Sequence, residues 1–146
     1  MIKFGFKLKD IKAGFFDRKI VVDALDKASK TVLGKFGTYV RRAARASIKN
    51  RGRTSKPGEP PTNRTGVLRD FIFFHYDSDE HSVIIGPAKL SGKSNAPEVL
   101  EKGGRTIITF GKNKGKVVNI KARPYMWPAY ESREKELPKL WQNSVK

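Results

Sequence analysis

Ala122-Arg123-Pro124-Tyr125-Met126-Trp127-Pro128-Ala129-Tyr130-Glu131 is the stretch around which the rest of the chain reads as arranged. Three aromatics, a methionine and two prolines crowd together here in an otherwise strongly cationic sequence. Pro124 holds Arg123 extended, because its ring excludes the α region for the residue before it. Pro128, with a fixed φ and no N–H, suits the first turn of a helix running on through Ala129, Tyr130 and Glu131. The stretch therefore predicts an extended lead-in that turns sharply into a C-terminal helix, with Tyr125, Met126 and Trp127 at the corner. Side chains of this kind at a rigid corner are either core plugs or anchors for a neighbouring chain. The residues alone leave both readings open.

Working outward towards the C-terminus, residues 131–136 continue the helix, and Pro138 is expected to interrupt it. Leu137, Leu140, Trp141 and Val145 then dock a last turn. On the other side, residues 105–110 and 117–121 are β-branched runs joined by Gly111-Lys112-Asn113-Lys114-Gly115-Lys116, a hairpin with a cationic tip. Residues 96–102 read as a helical turn ended by Gly103-Gly104, and residues 89–95 as a Gly/Ser/Lys loop. Further back, a strand over 71–76 returns through Asp77-Ser78-Asp79-Glu80 into a strand over 82–86. The first is apolar on both faces, which predicts a central strand or one face sealed by another subunit. Thr65 is expected to cap a brief helical turn over 66–69.

Residues 50–64 carry three prolines and two glycines without any period, and read as a mobile, basic, partly polyproline-like arm. From Arg18 to about Lys49, small or apolar residues recur at Val21, Leu25, Ala28, Val32, Phe36, Tyr39 or Val40, Ala43 and Ser47. Steps of three and four put these on one face of a long helix, with Asp17 as its N-cap. Gly34 and Gly37 each cost that helix about 1 kcal/mol relative to alanine, which predicts a bend or a close contact there. Ile2, Phe4, Phe6 and Leu8 alternate with Lys3, Gly5, Lys7 and Lys9, the pattern of a half-buried strand. The sum is an α+β fold: a long N-terminal helix on a mainly antiparallel sheet of four to five strands, with a shorter C-terminal helix. The chain of 146 residues is expected to be one domain.

The formal charge of +17 implies an anionic partner, nucleic acid or an acidic protein surface. With no cysteine, disulfides and thiolate metal sites are excluded and a reducing site of synthesis is expected. No continuous apolar run suggests a signal peptide or a membrane span, so a soluble protein is expected. Arg41, Arg42, Arg45 and Lys49 run from the end of the long helix into the arm, where Arg51, Arg53 and Lys56 extend the series. Part of that run complements the helix dipole. The whole run, with Lys112, Lys114 and Lys116, is the candidate contact surface for a partner or for DNA. Aromatic ladders, helix-turn-helix and zinc-finger patterns are missing, which argues against sequence-specific reading.

Catalytic signals are few. His75 and His81 flank the acidic turn, where Asp77 or Asp79 would complete a metal set, but polar residues at strand ends need no such explanation. Glu98 and Glu101, three apart, read as an acid pair or as a solvated helix face. No phosphate-loop or nucleophile-elbow spacing occurs. The expectation is a protein without catalytic residues, metal or cofactor.

Five segments, in order, carry a resemblance: Ser55-Lys56-Pro57-Gly58-Glu59-Pro60-Pro61; Thr65-Gly66-Val67-Leu68-Arg69; Val83-Ile84-Ile85-Gly86-Pro87; Val99-Leu100-Glu101-Lys102-Gly103-Gly104; and Ala122-Arg123-Pro124-Tyr125-Met126-Trp127-Pro128-Ala129. Together they resemble the tail-component or neck family of tailed bacteriophages, over roughly residue 43 to the C-terminus. Where that family has an aromatic-bearing Glu-x-Gly turn, this chain differs in Lys102 and the doubled glycine. The resemblance implies a virion protein of the head–tail junction, synthesised in the bacterial cytoplasm and forming a homo-oligomeric ring, hexamer ahead of dodecamer. Its implied partners are the neighbouring connector and tail-tube proteins, with the basic arm and hairpin gripping them or lining a channel for double-stranded DNA. Tyr125, Met126 and Trp127 become subunit-interface or corner anchors. The alternative is a sequence-nonspecific nucleic-acid-binding protein without enzymatic activity.

Overall fold

The computed structural model describes residues 18–88, 95–109, 111–142 and 144. The predicted strand over 2–8, the Asp17 cap, most of the loop over 89–95 and Val145 lie outside them. In chain order the elements are α1 (Arg18–Ser47), α2 (Val67–Asp70), β1 (Ile72–Asp77), β2 (Ser82–Pro87), α3 (Ala96–Lys102), β3 (Gly104–Ile107), β4 (Val117–Ile120), α4 (Met126–Glu134) and α5 (Leu137–Trp141). The fold is α+β: one long helix, short helices, and two antiparallel two-stranded ribbons, β1–β2 and β3–β4.

Helix α1 organises the core. Ala28, Val32, Phe36, Val40, Ala44 and Ile48 are all buried along it, in steps of four. Because four residues overshoot one turn of 3.6, this row drifts slowly around the helix, so its two ends face different neighbours. Phe36 meets Tyr130 of α4 edge to face, with ring centroids 6.0 Å apart. Val40, Ala44 and Ile48 share a cluster with Ile72 of β1 and with Tyr125 and Ala129 at the corner. Each buried Val or Ile among them stabilises the fold by about 1.5–3 kcal/mol. The expected row is too long at the start and out of phase at the end. Val21 and Leu25 are exposed, while Ala44 and Ile48, one position beyond Ala43 and Ser47, carry the burial. Burial along α1 begins only at Ala28, although the β1–β2 turn already meets the helix at Asp26 through His81.

Gly37 lies where α1 meets β1. A β-carbon there would stand 2.8 Å from Phe74 Cδ2 and 2.9 Å from Cγ. Of the two expectations for this glycine, the close contact holds. Along β1–β2 the register sets Phe74 opposite Ile85 and Tyr76 opposite Val83, and the period of two places Ile72 and these four towards α1. Phe71, Phe73 and Ile84 take the other face and are exposed. Phe71 and Phe73 touch edge to face at 6.1 Å.

Among the described residues the expected sheet of four to five strands is instead two separate ribbons. Two local structures explain the separation. Arg45 sends Nη2 from α1 to the carbonyls of Asp70 and Ile72, occupying the start of the outer edge of β1 with a side chain. Helix α3 stands between β2 and β3 and closes on Gly103, whose N–H donates to Val99 O. β1 is therefore not a central strand; its apolar outer face is open in the single chain.

Two smaller expectations are corrected. Thr65 does not cap α2: Gly66, at φ 81°, holds the N-cap position, and its N–H donates to Asn63 Oδ1 at 2.8 Å. Pro138 does not interrupt a helix but sits in the first turn of α5, where its missing N–H costs nothing. A turn at Lys135 and Glu136 has already ended α4.

Candidate functional site

The corner at 122–127 is built from three directions. Gly58 N–H donates to Ala122 O at 2.9 Å, and Arg123 Nε donates to Ser55 O at 3.2 Å, tying the loop over 50–64 to the lead-in. Arg123 N–H donates to Leu100 O. Glu101 then reaches from α3 to the start of α4. Its Oε2 accepts from the N–H groups of Tyr125 at 2.9 Å and Met126 at 3.0 Å, and its Oε1 from Trp127 N–H at 2.8 Å. A helix start leaves such N–H groups unpaired and carries a partial positive charge, so one carboxylate satisfies both needs. Glu98, its expected companion, faces outward and pairs with Lys102 at 3.2 Å. The two carboxylates are neither an acid pair nor one solvated face.

This bracket divides the three corner residues. Tyr125 is fully buried in the core, and its hydroxyl has no hydrogen-bond partner among the described residues. Burial first, and the Glu101 charge second, push its ionisation well above the ordinary tyrosine range. Met126 is half-buried. Trp127 is 61 % exposed and stacks on Tyr130, with ring centroids 5.5 Å apart. Met126 and Trp127 both line a groove of about 710 Å³ whose floor is Leu33, Phe36 and Val40 of α1, with Val83 and Ile85 on one wall and Leu137 on another. Glu101 and Lys102 are the charged residues among its lining. This apolar trough was not legible in the sequence, because it is assembled from α1, β2, α3, α4 and α5 together.

The cationic candidates separate in the same way. Arg45 is consumed by the β1 carbonyls. Arg41 lies 5.7 Å from the centre of the Phe73 ring, a cation–π contact on the edge of the open sheet face. Arg51 pairs with Glu59 at 2.9 Å inside the loop over 50–64. The Lys56 backbone N–H, ahead of Arg51, holds the Glu59 carboxyl below its ordinary range. The same loop is laced by Thr62 to Arg53 O and by Asn63 to both Lys49 O and Asn50 Oδ1. Arg42, Lys49, Arg53 and Lys56 remain exposed, as do Lys112, Lys114 and Lys116 on the β3–β4 tip. Gly111 and Gly115 turn that tip at φ 79° and 88°.

The acidic turn does not gather metal ligands. Asp77 Oδ1 accepts from the backbone N–H groups of Asp79 and Glu80, and His81 approaches Asp26 at 3.5 Å and Tyr76 at 3.4 Å. Among the described residues no group of three His, Asp or Glu side chains could hold a metal ion, and no helix is long and apolar enough to cross a membrane. Comparison of the chain with protein-family models, with curated proteins and with solved structures finds no match.

Proposed function

We propose that this chain is a structural subunit of the head–tail junction of a tailed bacteriophage, a neck or tail-completion protein that works as a ring and makes or breaks no bond. The observation that carries the reading is apolar surface left open on several separate elements of a chain with net charge +17. Phe71, Phe73 and Ile84 share one face of β1–β2, Ile107 lies opposite Val117 on β3–β4, and Trp127 rims the groove; all six are exposed. Exposed apolar side chains spread over several elements suit a subunit with more than one neighbour, as a cyclic assembly demands. The ordered motifs from Ser55 to Ala129 supply the identity of that assembly. The exposed cations of the loop and the hairpin tip then meet acidic neighbours on the faces of the ring.

The test is incorporation. Virions assembled with a variant carrying Phe73→Glu and Ile84→Glu should lack the protein and remain as separate heads and tails. Normal titres with the variant, or purified virions without the wild-type protein, would refute the reading. The second reading, nonspecific binding to nucleic acid, draws on the three exposed lysines of the hairpin tip. It requires salt-dependent binding of the isolated protein to duplex DNA, weakened by neutralising Lys112, Lys114 and Lys116 together.

A further inference from the structure

The apolar stripe of α1 outruns the body that it organises. Val22, Leu25, Leu33 and Phe36, with the small Ser29 between them, follow in steps of three and four, so they share one helical face. At Leu33 and Phe36 that face is the floor of the apolar groove. Two to three turns earlier it overhangs: Val22 is 44 % exposed and Leu25 46 %. The overhang cannot fill its own groove. Val22 and Leu33 are fixed about 16 Å apart on one continuous helix, at about 1.5 Å per residue.

We propose that the overhang of one copy docks in the groove of another. The match is a helical ridge of aliphatic side chains laid into an apolar trough, a recurring recognition mode. A volume of about 710 Å³ takes several side chains of this size. Charge selects a second copy over a nucleic acid or an acidic protein. From Arg18 to Lys27 the three cations Arg18, Lys19 and Lys27 stand against Asp23 and Asp26, a net charge of +1, and Glu101 and Lys102 balance one another at the groove. The two surfaces thus carry little of the charge of a chain at +17, and like copies meet there with least repulsion. The inference deepens the ring reading and rests on it for self-association.

The absence of native cysteine makes the test direct. Full-length chains carrying only Leu25→Cys are mixed with chains carrying only Trp127→Cys and oxidised mildly. The inference expects a disulfide-linked mixed dimer, at least tenfold above either chain incubated alone. Adding Val22→Asp to the Leu25→Cys chain should abolish that product, while circular dichroism stays unchanged. Rings seen by native mass spectrometry without the mixed cross-link would overturn this docking and leave the ring reading standing. A monomer at all concentrations with no cross-link would overturn both. A monomer whose Leu25→Cys thiol resists a water-soluble maleimide would also overturn it, by showing the overhang covered within one chain.

Discussion

Glu101→Ala is the substitution that bears most directly on how the corner is made. It strips the acceptor from the N–H groups of Tyr125, Met126 and Trp127 at once. The Trp127 N–H is exposed, and water replaces its partner at little cost. The other two are part-buried, and each loses a hydrogen bond to a charged group worth about 1.5–3 kcal/mol. Recovering the hydration of the freed site offsets part of this, which leaves a loss of about 2–3 kcal/mol. For a chain of this size that lowers Tm by roughly 4–12 °C. Glu101→Gln keeps one carbonyl acceptor but turns an NH₂ towards at least one donor, so its loss falls between alanine and wild type. Glu98→Ala is the control. It removes only an exposed pair with Lys102, worth at most about 0.5 kcal/mol. Urea denaturation, read by far-UV circular dichroism, measures all three. If Glu101→Ala and Glu98→Ala both lie within about 0.5 kcal/mol of wild type, the bracket contributes nothing and the reasoning fails.

Other perturbations follow from the same contacts. Gly37→Ala should destabilise by about 1–2 kcal/mol, since overpacking against Phe74 exceeds the gain in helix propensity. Gly34→Ala, with nothing within 4 Å of the added carbon, should stabilise by about 0.5–1 kcal/mol; equal effects in a melting experiment would contradict the packing. Tyr125→Phe removes a buried hydroxyl that has no partner among the described residues and should leave the protein as stable or up to about 2 kcal/mol more so, whereas a clear loss in denaturant midpoint would contradict this. Glu59 has a depressed folded-state pKa, so its contribution is present above the ordinary glutamate value and disappears as pH falls through the depressed one. Hydrogen-exchange protection over residues 50–64 should weaken in acid, and Glu59→Gln should flatten that dependence.

Much of the framework was legible because it rests on local chemistry. The long helix α1 with its apolar face from Ala28 to Val40, the Gly103 stop after α3 and the basic tip between β3 and β4 each follow from a few neighbouring residues. What escaped was long-range. Nothing in the spacing of Glu101 announces that it will hold N–H groups 24 to 26 positions away. Arg45 reads as one cation among seven until its guanidinium is found on the carbonyls of Asp70 and Ile72. That contact also explains why β1, apolar on both faces, did not become the centre of a wide sheet. Side-chain period reports which face is apolar, whereas strand count depends on what occupies each edge. The corner aromatics were placed correctly as a group, but only the fold sorts Tyr125 into the core and Trp127 onto the groove rim.

Assembly into a ring is decided by native mass spectrometry of the purified chain. A ring-forming subunit gives a discrete closed species of six or twelve copies that persists on dilution and dissociates when Phe73→Glu and Ile84→Glu are introduced together. A monomer across the whole concentration range, with the same spectrum for wild type and variant, would contradict it.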